Sequence, residues 1–191
     1  MMESALYDFV YRGLLTDEAL DYAGRRSTTH LDHELPELAD ALNYELLDAD
    51  ELDVGTKMGV VYAAITAFER SARRFVARVL QNEHGEDWWE QCVSKNIRDF
   101  AESRREEENT IKWHGTRGDD PLTFTELSHL PKIIQQNWDD FEPYMRRIDW
   151  ATALFSTVER SRNVIMHSGT LDIEDIERLG MNIRDWVKQI G

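Results

Sequence analysis

Apolar residues recur along most of this chain at the three-and-four spacing of an amphipathic helix, and almost nowhere with the alternation of a strand. The clearest stretch begins at Thr56, where Met58, Val61, Tyr62, Ile65, Phe68, Ala72, Phe75, Val76 and Val79 mark one face. The pattern predicts a long helix to about Asn82, ended by Gly85. Trp88, Trp89, Cys92, Val93, Ile97 and Phe100 predict a second helix over 87–107. The segment 114–121, with two glycines and a proline, reads as a loop. Phe124, Leu127, Leu130, Ile133, Ile134 and Trp138 predict a helix over 123–141 bent at Pro131. Two more follow: 149–168, capped by Asp149 and stopped at Gly169, and 172–190.

Ahead of Thr56 the signals are weaker. Helices are predicted over 3–15 and, behind the Thr16 cap, over 16–26; a third covers 35–47 with Pro36 in its first turn. The acidic segment 48–55 is expected to turn at Gly55. The fold class is therefore an all-α helical bundle, divided into an N-terminal helical extension or docking region, 1–54, and a bundle domain, 55–191.

Composition agrees with a packed domain: 191 residues are 41% hydrophobic with ten glycines and four prolines. No apolar run reaches the ~20 residues of a membrane span, no secretory signal is visible, and the single cysteine, Cys92, offers neither a disulfide nor a thiolate cluster. The expected location is cytoplasmic. Charge complicates any nucleic-acid role, because 37 acidic residues outnumber 22 basic ones for a net −15. A uniformly acidic surface repels phosphate. The arginines nevertheless cluster, as Arg70, Arg73, Arg74 and Arg78, then Arg104 and Arg105, then Arg146, Arg147, Arg160 and Arg162, and an enzyme needs only a locally positive cleft.

Phosphate loops, dinucleotide fingerprints, nucleophile elbows and zinc-protease motifs are absent from the sequence. His30 and His33 lack a placed carboxylate, so solvated loop histidines are the default reading and no metal or cofactor is expected. His167 stands apart. It lies at a helix C-terminus, where the dipole favours the imidazolium. At ~100° per residue, Glu159, Arg160, Asn163 and His167 share a face, whereas Arg162 lies ~140° from His167. A histidine can move protons in metal-free RNA cleavage, and a guanidinium can hold phosphate oxygens. Asn163 is suited to fixing the His167 tautomer or binding phosphate. The plain alternative is that arginine and histidine are ordinary surface residues of an acidic helical interaction or antitoxin-like protein.

Arg162-Asn163, three residues, then His167, at the end of a late helix with one more helix after it, resembles the HEPN superfamily (higher eukaryotes and prokaryotes nucleotide-binding). The stretches 68–76, Gly85-Glu86-Asp87-Trp88-Trp89, and 124–141 resemble, in order, one branch of it. That branch is typified by the HEPN domain attached to a nuclear PIN-type endoribonuclease and by bacterial relatives. The likeness covers about residue 56 to the end. It implies a homodimeric, metal-independent endoribonuclease leaving 2′,3′-cyclic phosphate, with Arg162, Asn163 and His167 catalytic and Arg160 a second candidate arginine. Glu69 is implied as a further member beside the pair, although Glu69 and Arg73 at i, i+4 also read as a surface ion pair. Partners implied are RNA, a second copy, and an antitoxin or other protein of a defence or toxin–antitoxin system. Gly169 stands where toxins neutralised by adenylylation carry tyrosine, which argues against that modification. A non-catalytic HEPN module binding a nucleotide or a protein is the alternative. Trp88, Trp89 and Trp138 read as core or dimer-interface aromatics.

Overall fold

The computed structural model describes residues 31–190 other than Lys112, with side chains from Leu35 onward. The helices expected over 3–15 and 16–26 lie outside the described residues, as does His30. The described elements are helices and 3-10 turns, with no strand among them. In chain order the helices are α1 (Leu31–Ala41), α2 (Ala49–His84), α3 (Trp88–Cys92), α4 (Lys95–Asn109), α5 (His129–Gln136), α6 (Trp138–Phe141), α7 (Ile148–Met166) and α8 (Ile173–Ile190). The chain divides into two compact units between Leu52 and Asp53.

Several boundaries differ from the sequence expectation, each for a local reason. The expected helix 35–47 starts earlier and ends at Ala41, so Pro36 sits inside α1; left-handed Asn43 (φ 53°) then leads into a 3-10 turn at Tyr44–Leu46. Gly55 is not a turn, because α2 runs through it. The Asp48 carboxylate accepts the backbone N–H groups of Asp50 and Glu51 at 3.0 and 3.1 Å, starting the helix seven residues before Thr56. The helix expected over 87–107 is broken: Val93 is extended and Ser94 restarts the chain as α4. The helix expected over 123–141 is a 3-10 turn at Pro121–Phe124 followed by α5 and α6. Its break falls at Asn137, not Pro131. Pro131 lies in the first turn of α5, where its missing N–H costs nothing. The Asn137 side chain donates to the carbonyls of Cys92 and Ile133 at 2.9 and 2.8 Å, fixing the bend.

The core lies along α2, whose Ile65, Phe68, Ala72, Phe75, Val76 and Leu80 are buried on one face. α5 packs on α7 and α7 on α8, while the Pro121–Phe124 turn packs on α4. Trp186, fully buried on α8, is the hub. Its ring meets Phe155, Phe75 and Phe68 edge-on at 5.2–5.7 Å and stacks on Trp150 at 6.2 Å. Trp88 is buried and meets Trp89 edge-on, and Trp89 and Trp138 pack against the same core. The Cys92 thiol is buried, and burial first, then Asp140, pushes its pKa up.

The aromatic hub makes Trp186→Ala costly, by about 3–5 kcal/mol in urea unfolding. Trp186→Phe is expected to lose much less, since it also removes an indole N–H that has no acceptor among the described residues. A separate pH dependence comes from His129, which packs edge-on against Phe100 at 4.9 Å and accepts the Glu126 backbone N–H on Nδ1. Burial first, then Lys132, lowers its pKa below the usual 6.5. The neutral form belongs to the folded state, so its contribution is present above pH 6.5 and falls away as pH drops below it. The urea midpoint should therefore fall less between pH 7.5 and 5.5 in His129→Gln than in the parent.

Candidate functional site

α7 buries Ala151, Leu154, Phe155, Val158 and Ser161 and leaves its final turns to the surface. Its end is built with care. The Ser168 N–H donates to the Ile165 carbonyl at 3.0 Å, and the Gly169 N–H to the Val164 carbonyl at 2.8 Å. That is the double closure of a Schellman turn, with Ser168 left-handed at φ 61°. His167 is thereby held as the C-cap residue, its own N–H on the Asn163 and Val164 carbonyls. The glycine is needed for closeness and not for φ. A Cβ on Gly169 would lie 2.8 Å from both the Val164 carbonyl oxygen and its Cγ1.

Two hollows meet along α7. The first is a shallow open groove of about 540 Å³, lined by Ser156, Glu159, Arg160, Asn163, Val164 and His167. It is the face that the helical arithmetic assigned to His167, and Arg160 is the arginine on it. The second is a cleft of about 570 Å³ between α2, α7 and the segment 117–127. Arg162 opens onto this one. Asn163 and Glu159 line both and form the wall between them.

Within one chain, then, Arg162 and His167 face different hollows. Arg162 is engaged by α2: its Nε lies 3.2 Å from Glu69 Oε1, while the other Glu69 oxygen lies 3.7 Å from Arg73 Nη2. The first contact is ionic and off the hydrogen-bond axis, since Glu69 Oε1 has no aligned donor. Glu69 and Arg73 are 16% and 13% exposed at the side chain, so they are not the surface pair expected of an i, i+4 spacing. Arg73 donates through Nη2 to the Thr125 carbonyl at 3.1 Å, and its Nη1 is buried without a partner among the described residues. Desolvation lowers the Arg73 pKa, with Glu69 opposing and Arg162 and Arg117 adding to the effect. A guanidinium does not lose its proton in such a setting, so Arg73 remains a cation held at raised energy beside other cations. An anion in the cleft would relieve it.

Sequence reading had not singled out Arg117, Thr125 or Trp113. Arg117 and Thr125 line the cleft, and Trp113 is 86% exposed in the loop beside it. The only signal was a tryptophan and an arginine in a polar, glycine-containing loop. Among the described residues no three His, Cys, Asp or Glu side chains are grouped to hold a metal, and no helix is long and apolar enough to cross a membrane.

The turn under His167 gives two substitutions of opposite sign. Gly169→Ala should lower stability by about 1–3 kcal/mol through overpacking on Val164. Ser168→Gly should raise it by about 1 kcal/mol by relieving the left-handed serine. Urea denaturation of both variants checks the pair.

No curated protein and no solved structure matches the chain. A family model does: the one described as Swt1-like HEPN, over residues 63–191, which takes in α2 from its middle, Glu69, Arg73 and all of α7. With well over half of its length matched, the chain belongs to the Swt1-like HEPN family.

Proposed function

We propose that the chain is a metal-independent endoribonuclease whose site is completed by a second copy of itself. The observation that carries this reading is the groove shared by Arg160, Asn163 and His167, a proton-transfer group beside a guanidinium and an amide on one exposed face. The groove is too open to exclude water alone, and a catalytic site gains from enclosure. Met166 and Ile173, on either side of the Schellman turn in sequence, expose apolar side chains suited to a dimer contact.

In the proposed reaction, His167 of one protomer takes the proton from a ribose 2′-hydroxyl, and the 2′-oxygen attacks the adjacent phosphorus. The bond to the 5′-oxygen breaks, and His167 of the other protomer protonates that oxygen. The ends are a 2′,3′-cyclic phosphate and a 5′-hydroxyl. Arg160 stabilises the charge on the phosphorane from within the groove; Arg162, which faces the other hollow within its own chain, joins it only where the motifs of the two copies meet in the dimer, and Asn163 orients His167 or a phosphate oxygen. Glu69 and Arg73 set the position of Arg162. A toxin or effector role in a defence or toxin–antitoxin system, with an antitoxin or other protein partner, belongs to the same proposal. Residues 1–54 are proposed as its docking extension and 55–191 as the HEPN bundle. The net charge of −15 favours a second reading, a non-catalytic module that binds a nucleotide or a protein.

One experiment separates them. Parent protein in EDTA should cleave RNA and sediment at twice the 22.3 kDa chain mass. His167→Ala should lose roughly 10²–10⁴-fold in rate, and Arg160→Ala and Arg162→Ala about 10²–10³-fold each. Equal cleavage by all, or by none, defeats the nuclease reading.

A further inference from the structure

The cleft that Arg162 opens onto carries five arginines, Arg70, Arg73, Arg104, Arg117 and Arg162, against three glutamates, Glu69, Glu126 and Glu159. In a chain of net charge −15 this is a local reversal of sign. Arg104 and Arg117 also line a neighbouring hollow of about 550 Å³, where Glu107 and Glu108 balance them and Ile111 and residues 113–116 complete the wall, so the two spaces share a border.

Both border arginines are held in place by rings. The Arg104 guanidinium lies 4.7 Å from the Phe100 ring centre, and that of Arg117 5.9 Å from Phe124. Glu126 approaches Arg104 at 3.5 Å. The Glu108 carboxylate accepts the backbone N–H of Arg117 at 3.0 Å. On the far side of this border stands Trp113. Its indole meets only the neighbouring His114 ring edge-on, at 5.7 Å, among the described aromatics. An indole left 86% exposed adds nothing to the core.

We propose that the arginine cleft and Trp113 form a track for single-stranded RNA outside the His167 groove. Arg73, Arg104 and Arg117 take backbone phosphates, and Trp113 stacks one unpaired base. This deepens, and rests on, the ribonuclease reading, and it names the substrate class as unpaired RNA. Phosphate is the ligand because guanidinium forks match its oxygens and because Arg73 Nη1, buried without a partner among the described residues, lacks the acceptor an anion supplies. The strand is single because a duplex keeps its base faces stacked on each other, whereas an indole needs a free one.

The test uses the full chain carrying His167→Ala, titrated with a fluorescein-labelled twelve-nucleotide oligoadenylate and with a duplex of the same length. Adding Trp113→Ala should weaken single-strand binding by about 5- to 150-fold, the range for one stacked base. Duplex affinity should be unaffected, and Trp113→Phe should restore most of the loss. Arg117→Ala should flatten the slope of log K against log salt by about 0.7, one phosphate on a single strand. The proposal is overturned if Trp113→Ala binds the oligonucleotide as tightly as its parent with an unchanged circular dichroism spectrum. It is equally overturned if the substitution alters only the dimer mass, if the parent binds no RNA, or if an acidic peptide binds in its place. The two readings fail separately. RNA bound through Trp113 but never cut by the wild type leaves the track standing without the nuclease. RNA cut with a KM indifferent to Trp113 and Arg117 does the reverse.

Discussion

The carboxylate of Glu69 holds two guanidinium groups from different helices, Arg73 one turn along α2 and Arg162 across on α7. Partial burial makes this arrangement matter. On the open surface such contacts contribute little, but here each cation has lost water and the carboxylate is the compensation within reach. Helical position already sets Arg162 about 140° around α7 from His167, and the contact holds it there. Two arginines two residues apart on one helix thus serve two hollows, with Asn163 and Glu159 as the wall between. Remove the carboxylate, and Arg73 and Arg162 lose the charge that faces them both.

The electrostatics follow from that arrangement. A net charge of −15 opposes any polyanion at long range, and this remains the main physical argument against an RNA substrate. Screening confines the repulsion to about 8–10 Å at ordinary ionic strength. Inside that distance the arginine cleft presents the opposite sign. Long-range repulsion and short-range attraction together select against loose, nonspecific binding and favour a strand that fits.

Much of this was legible in sequence, and the rest was hidden for identifiable reasons. The apolar face of α2, the final two helices and the all-α class follow from periodicity, because periodicity records which residues pack. Helical arithmetic places Arg160 on the face of His167 and Arg162 off it, as the hollows do, whereas the motif pairs Arg162 with His167, which the hollows of one chain do not. The breaks at Val93 and Asn137 were hidden because the apolar spacing continues across them; only the Asn137 side chain, bonding to a carbonyl 45 residues away, makes the bend. Asp48 lies in an acidic segment whose composition predicts a turn at Gly55, but its carboxylate starts a helix that runs through that glycine. The union of Glu69 with Arg162 joins residues far apart in the chain, and no local pattern announces it. Trp113 and Arg117 escaped for the opposite reason: they pack on little or nothing in the core, so no periodicity includes them. Of the tryptophans that periodicity marks, Trp88 is in the core and Trp89 and Trp138 pack partly buried against it.

Trp186 carries a consequence for the order of events during synthesis. The rings it joins, Phe68, Phe75 and Phe155, leave the ribosome well before it does, and α8 follows every other helix of the bundle. Until that indole emerges, the apolar faces of α2 and α7 lack their common neighbour, and contacts so distant in sequence form slowly. The nascent chain can make its helices as they appear, but the platform under His167 consolidates only when the last of them docks.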